Sequence, residues 1–345
     1  MVDCSICGRP AIYVNRISDK AYCRKHFLEY FDRKVRRTIR KYSMFRSNEH
    51  IIVAVSGGKD SLSLLHYLHK LSRRVPGWKI TALLIDEGIK GYREYTIEDF
   101  KRVVDELGVD YHIARFKDYI GLTLDEIIEL GKERNLPYLP CSYCGVFRRY
   151  LLNKVARELD GTVLATAHNL DDIIQTYVMN ILNNSWDKVV RLGPVSGTMD
   201  HPKFIRRVKP FYEILEKETT LYSLLNNLYP KFVECPYARF NIRTMVRHYL
   251  NELEEKYPGT KYSILRSLLT IIDVLKQHPE FTKGEIKSCL ICGEPSAHEI
   301  CRACQYRIEL GIIKPDKKVL EEIKDKIRWA KSFDINKLIE EPEST

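Results

Sequence analysis

The stretch IIVAVSGGKDSLSLLHYL, residues 51–68, decides the fold. It reads as an apolar strand, a short Ser-Gly-Gly turn, and a helix opened by a lysine and an acid. Such a corner binds anions, because the free N–H groups of the helix start and its dipole face the turn. It is not a Walker A loop, which needs a longer glycine loop ending in Gly-Lys-Ser/Thr. Gly57 and Gly58 let the backbone turn sharply and approach an anion without a Cβ in the way. Lys59 adds a positive charge. Asp60 would repel phosphate, so it is expected to cap the helix or hold a magnesium ion. The tight turn suits a pyrophosphate held as one unit, with the loop stabilising its charge as it departs. The plain alternative is an ordinary Ser/Gly turn.

Outward from this corner the pattern stays strand-then-helix. Strands are predicted at Ile51–Val55, Ile80–Ile85, Tyr111–Phe116 and Thr162–Ala167, with FIRRVKPF at 204–211 as a fifth. Helices are predicted near 61–73, 94–107, 123–134, 144–159 and 170–183, and residues 213–278 read as mostly helical. Alternating units of this length predict an α/β fold, a doubly wound, Rossmann-like parallel sheet. Such sheets bind ligands beyond the carboxyl ends of their strands, at the switch point.

The chain has 345 residues, 44% of them apolar, enough for a substantial core. Its net charge of +10 suits a polyanionic partner. Leu28, Phe31, Val35, Ile39, Tyr42 and Phe45 recur at helical spacing over residues 28–46. Arg33, Lys34, Arg36, Arg37, Arg40 and Lys41 fall on the other face, either as a solvated surface or as a grip on RNA phosphates. Arg191, Arg206, Arg207 and Lys209 are further candidates for RNA contact, each with the same plain alternative. No apolar run is long enough to span a membrane, and the N-terminus lacks a signal-peptide core, so a cytoplasmic protein is expected.

In a reducing compartment the ten cysteines are more naturally metal ligands or catalysts than disulfides. Cys4-x2-Cys7 and Cys23-x2-His26 form one pair of pairs, and Cys289-x2-Cys292 with Cys301-x2-Cys304 forms another. Both have the spacing of a closed tetrahedral zinc site, whose task is to fold a small lobe. Cys141, Cys144 and Cys235 are left over. Three thiolates can hold an iron–sulfur cluster with one iron free of protein ligands, make a redox pair plus a nucleophile, or form a third zinc site. They can also be unrelated buried thiols.

SGGKDS resembles the PP-loop of the ATP pyrophosphatases, which adenylate a carbonyl oxygen. With PCSYCG, TAHNLDD, RRVKPFYEILEKE and ECPYA, the chain resembles the tRNA 2-thiolation branch of that family. The cysteine knuckles at both ends resemble those of the TtuA-type enzymes and their wobble-uridine relatives. The resemblance covers residues 1–305 and assigns nothing to the tail beyond. It implies that Ala54, Ser56, Gly57, Gly58, Lys59, Asp60 and Ser61 bind ATP, with Ile85 near the adenine. It places Arg148 on phosphate, Ala167 and His168 at the nucleotide's border, and Asp172 as a catalytic carboxylate. Asp171 and Asp172 also have a plain reading, as first-turn carboxylates favoured by the helix dipole.

The resemblance further implies a 4Fe–4S cluster on Cys141, Cys144 and Cys235, although some relatives are described with a persulfide or disulfide route. It implies ATP, Mg2+, two Zn2+ and that cluster as cofactors. The partners it implies are tRNA and a sulfur donor, either a thiocarboxylated ubiquitin-like protein or sulfide, in a homodimer. The implied reaction is adenylation of a uridine C2 oxygen, at position 54 or wobble position 34, followed by sulfur transfer. The expected organisation is an N-terminal zinc finger (1–27), a basic linker helix (28–48), the PP-loop domain (49–284), a C-terminal zinc finger (285–308) and a charged helical tail (309–345). Two rival expectations are a lysidine-type or amide-forming PP-loop ligase, and a non-catalytic zinc or iron–sulfur RNA-binding protein.

Overall fold

The computed structural model describes residues 2–197, 201–231, 233–238, 242–282 and 286–340. The expected domain boundary at 284/285 and the last five residues of the tail lie outside the described residues. The elements run β1 (Tyr13–Asn15), β2 (Lys20–Tyr22), α1 (Arg24–Lys41), β3 (His50–Ala54), α2 (Lys59–Ser72), β4 (Lys79–Asp86), α3 (Arg93–Leu107) and β5 (Asp110–Arg115). Then come α4 (Phe116–Ile120), α5 (Leu124–Glu133), α6 (Pro140–Glu158), β6 (Val163–Ala165), α7 (Leu170–Leu182), α8 (Trp186–Val189), β7 (Val195–Ser196) and β8 (Arg206–Val208). The chain closes with α9 (Glu216–Leu225), α10 (Arg243–Lys256), α11 (Thr260–Gln277), α12 (Pro279–Thr282), β9 (Lys287–Ser288), β10 (Pro295–Ser296), α13 (Arg302–Glu309), α14 (Lys317–Ile323) and α15 (Ile335–Glu340).

The central sheet has the order β5-β4-β3-β6-β8-β7, parallel except for the short β7 at its edge. Strand alternation divides the core into two layers. Ile51 and Val53 pack with α1 and α2 on one face, while Ile52 and Leu164 pack with α6 and α13 on the other. The chain leaves β3 toward β4 on one side, and β6 flanks it on the other. The switch point therefore opens between the ends of β3 and β6.

The basic helix is shifted from its expected span. α1 begins at Arg24, so it carries His26 itself, and it ends at Lys41. Its polar face is also divided. Lys34 is buried against Glu218 and Lys41 pairs with Glu213 at 2.6 Å, so neither projects freely as the helical pattern predicts. Burying the Lys34 ammonium is tolerable because Glu218 and the Tyr262 hydroxyl at 2.6 Å receive its donors. Among the described residues, no helix is long and apolar enough to cross a membrane.

The two cysteine lobes brace different helices. In the N-terminal lobe Tyr13 and Tyr30 bond Glu218 of α9 at 2.9 and 2.7 Å. In the C-terminal lobe Tyr306 packs against Tyr143 and Phe147 of α6, and Glu294 pairs with Arg157 of the same helix. The tail continues this second packing, with Leu320, Ile323 and Ile335 buried in the same core layer.

Candidate functional site

The turn after β3 is closed by its own hydroxyls. Ser61 Oγ accepts the Ser56 N–H at 3.1 Å and donates to the Gly58 carbonyl at 2.8 Å. Gly57 has φ +85°, and a Cβ there would lie 2.4 Å from the Thr96 carbonyl oxygen at the start of α3. No side chain fits, so this glycine lets the loop tuck under α3. Gly58 caps α2 with an ordinary extended backbone and has room for a Cβ, so the fold itself does not require a glycine there. What its small size keeps open is the space over the helix start.

Asp60 does not cap α2. One of its oxygens receives Lys59 at 2.8 Å and the other receives the Thr219 hydroxyl of α9. Lys59 also reaches Glu216 at 3.0 Å. Burial works against its ammonium, but the two carboxylates outweigh that and hold its pKa above the ordinary value. A lysine so held stays protonated and faces the loop, as a pyrophosphate requires.

At the end of β6, Asn169 and Asp172 form a reciprocal capping box on α7 at 3.0 and 3.2 Å. Asp171 is buried and structural, receiving the Glu216 N–H at 2.7 Å and the Lys261 ammonium. Asp172 keeps one oxygen toward the cleft, 3.9 Å from Arg243. Burial and then the neighbouring Asp60 push its pKa up to about 6. His168 lies at the cleft surface and bonds Thr166 at 3.0 Å. Desolvation of the ring, then Lys209, Arg243, Arg207 and Arg148, push its pKa down. Ala54 is half-buried at the end of β3, Ala167 is half-buried two residues past β6, and Ile85 is buried one residue before the end of β4.

Cys141 and Cys144 lie in the first turns of α6, which Pro140 opens. The loop carrying Cys235 folds over them. The Cys141 sulfur stands 3.8 Å from the Tyr237 carbonyl, and Tyr237 is anchored by its hydroxyl to Asp125 at 2.6 Å. Burial and the nearby Cys235 push the Cys141 thiol up. Burial likewise pushes Cys144 up, against the pull of Arg148.

The structure adds a connection that no motif announced. Arg148 sits 3.0 Å from the Cys144 sulfur and 2.7 Å from Oε1 of Glu87, which is fully buried just past β4. The other Glu87 oxygen receives Arg93, which in turn donates to the Ser56 carbonyl at 2.9 Å. Burial opposes the Glu87 charge, but Arg148 and Arg93 hold its pKa below the usual range. The cysteines and the glycine turn thus share one buried carboxylate.

The terminal cysteine sets close tightly. Cys4, Cys7, Cys23 and His26, and separately Cys289, Cys292, Cys301 and Cys304, bring their ligand atoms within 4.8 Å of one another. Both knuckles use the same bond, from the Gly8 N–H to the Cys4 carbonyl at 2.9 Å and from the Gly293 N–H to the Cys289 carbonyl at 2.8 Å. The donor sets fit zinc in number and kind. Cys141, Cys144 and Cys235 do not close to that limit. Two thiolates on one zinc, each at about 2.3 Å, stand no more than about 4.6 Å apart. Among the described residues the trio therefore does not form a third closed tetrad.

Comparison with known proteins agrees with this geometry. The PP-loop domain family matches residues 27–252. The tRNA-5-methyluridine(54) 2-sulfurtransferase of Pyrococcus horikoshii is 40% identical over 304 residues, covering 88% of this chain and 93% of the relative. The tRNA 2-thiolation protein NcsA of Haloferax volcanii is 32% identical over 316 residues, covering 88% and 98%. The solved structure of the U34-tRNA thiolase NcsA from Methanococcus maripaludis, with its 4Fe-4S cluster, superposes with a TM-score of 0.78 at 36% identity, covering 92% of this chain and 99% of that one.

Proposed function

We propose, of a chain that belongs to the PP-loop family and to its tRNA 2-thiolation branch, that it converts a tRNA uridine to 2-thiouridine at the expense of ATP. The observation that carries this reading is the Cys144–Arg148–Glu87–Arg93–Ser56 chain, which ties the sulfur side to the phosphate side.

The loop N–H groups of Gly57 to Lys59 hold the pyrophosphate portion of ATP, and the adenine lies toward Ile85. The uridine C2 oxygen attacks the α phosphate, and pyrophosphate leaves toward Lys59. Asp60 and Asp172 would hold a magnesium ion, which would supply positive charge for the departing pyrophosphate. The C2 oxygen, now an AMP ester, is a competent leaving group. A sulfur nucleophile attacks C2, the C2–O bond breaks, and AMP departs with that oxygen. Bound by Cys141, Cys144 and Cys235, a 4Fe–4S cluster would supply one iron without a protein ligand, a docking place for sulfide. The donor is a thiocarboxylated ubiquitin-like protein or sulfide itself, and the protein works in the cytoplasm as a homodimer. Zinc in both terminal tetrads holds the lobes that brace α9 and α6.

The body of the tRNA is gripped away from the reacting base. A groove of about 770 Å³ runs between α1 and the end of α2, lined by Arg33, Arg36, Arg37, Arg40, Arg74 and Trp78 among others. Arg36 pairs with Asp32, but no carboxylate lines the groove itself. At 14 residues, α2 is about 21 Å long, so this grip lies far from the loop at its other end. A folded tRNA spans that distance.

Nucleoside mass spectrometry of tRNA from cells lacking the protein tests the reading and names the target. Loss of a 2-thiouridine at position 54 or at position 34 supports it. An unchanged set of thionucleosides overturns it.

A further inference from the structure

Strand alternation separates the basic residues of β8. Arg206 points to the α1 face, where Glu49 and the Met44 carbonyl, at 2.7 Å, engage it. Arg207 and Lys209 both point to the α6 face. There Arg207 donates to the Arg149 carbonyl at 3.2 Å, and Lys209 donates to the Gly193 carbonyl. Among the described residues, no carboxylate pairs with Arg149, Arg207 or Lys209, and the charged neighbours of Arg207 and Lys209 are cations. Burial and then Arg149 push Arg207 down to about 10, while burial and then Arg207 push Lys209 down to about 8. Three half-screened cations pressed together without an anion are costly, and an anion that enters the cleft relieves the cost.

We infer that Arg149, Arg207 and Lys209 form an anion site that receives an RNA phosphodiester next to the reacting nucleotide. This rests on the tRNA reading above and adds the subsite that aligns the strand. The position favours RNA over ATP as the source of the phosphate. The ATP loop follows β3, whereas β8 lies beyond β6, two strands away. Cys144 is among the charged neighbours of Arg149, so a phosphate held here leaves its base near the cysteine trio.

The test compares an Arg207→Ala/Lys209→Ala variant with a charge-conserving Arg207→Lys/Lys209→Arg variant, both in the full chain. Binding of a tRNA transcript is measured from low to high KCl, and ATP affinity is measured separately. The alanine variant is expected to bind tRNA roughly tenfold more weakly, with the slope of log affinity against log salt shallower by about 0.7 to 0.9, the share of one phosphate. Its ATP affinity stays unchanged, and the charge-conserving variant recovers most of the tRNA binding. An unchanged salt slope overturns this inference alone. So does a loss of ATP affinity with tRNA binding intact, which would make ATP the source of the phosphate. A wild-type protein that binds no tRNA overturns the thiolation reading and this inference together.

Discussion

The Cys144 sulfur accepts a hydrogen bond from the Arg148 guanidinium at 3.0 Å. The same guanidinium holds Glu87, whose other oxygen holds Arg93 against the nucleotide loop. Sulfur chemistry and nucleotide chemistry are therefore positioned by one carboxylate that neither a loop motif nor a cysteine motif contains.

Glu87→Gln tests that connection. The substitution leaves Arg93 buried without its counter-charge, and breaking a buried pair this way costs about 3–5 kcal/mol. Thermal unfolding should fall by several degrees. Glu87→Asp, which keeps the charge on a shorter arm, should recover most of the stability but little of the sulfur transfer. Full sulfur transfer in Glu87→Asp would show that the connection only stabilises.

Asp172 is expected to set the acid limb of the rate. Its folded pKa of about 6 lies above the ordinary 3.8, so the folded protein holds the proton more tightly than the unfolded chain. This contribution to stability is largest below pH 3.8 and is lost as pH rises through about 6. Activity runs the other way, because a carboxylate that holds magnesium must be ionised. kcat/KM should rise through about pH 6 in the wild type. Asp172→Asn should lower it by roughly 10²-fold or more and erase that limb.

The terminal lobes should contain zinc and act through the helices they brace. Metal analysis is expected to give two zinc ions per chain, and one for Cys289→Ser. Losing the C-terminal site should loosen α6 and with it Cys141 and Cys144, while ATP binding at the turn after β3 persists. Loss of ATP affinity in Cys289→Ser equal to its loss of sulfur transfer would contradict that division of labour.

The α1 groove should set tRNA affinity without touching ATP. Arg33→Ala/Arg37→Ala/Arg40→Ala removes three cations that have no ion-pair partner among the described residues. The salt slope of tRNA binding should become shallower by about 2 to 3. An unchanged slope with normal folding would return these arginines to an ordinary solvated surface.

How far the sequence reaches depends on the range of each interaction. β3, its glycine turn and α2 were legible because an apolar run, two glycines and a helix start lie side by side. The terminal tetrads were legible from spacing alone, since a knuckle is a local structure. β8 falls within the fifth strand expected at 204–211, whereas β7 escapes the sequence because two residues carry no measurable period. Glu87 was missed because its partners lie at Arg93 and Arg148 and at no fixed motif spacing; its only clue is an acid just past a strand's carboxyl end. Lys34 and Lys41 were read as part of a free basic face because Glu218 and Glu213, which engage them, lie more than 170 residues later. For Cys235 spacing offered only a lone thiol; the resemblance grouped it with Cys141 and Cys144, and the fold brings its loop over Cys141.

The central claim, that the loop and the cysteine trio serve one reaction, is tested by reconstituting the protein with iron and sulfide without oxygen. ATP, sulfide and an unmodified tRNA transcript are supplied, and 2-thiouridine and AMP are measured together. The account predicts one AMP per 2-thiouridine for the wild type, and no 2-thiouridine for either Lys59→Ala or Cys144→Ala. Undiminished 2-thiouridine from Cys144→Ala, or 2-thiouridine formed without AMP, would contradict it.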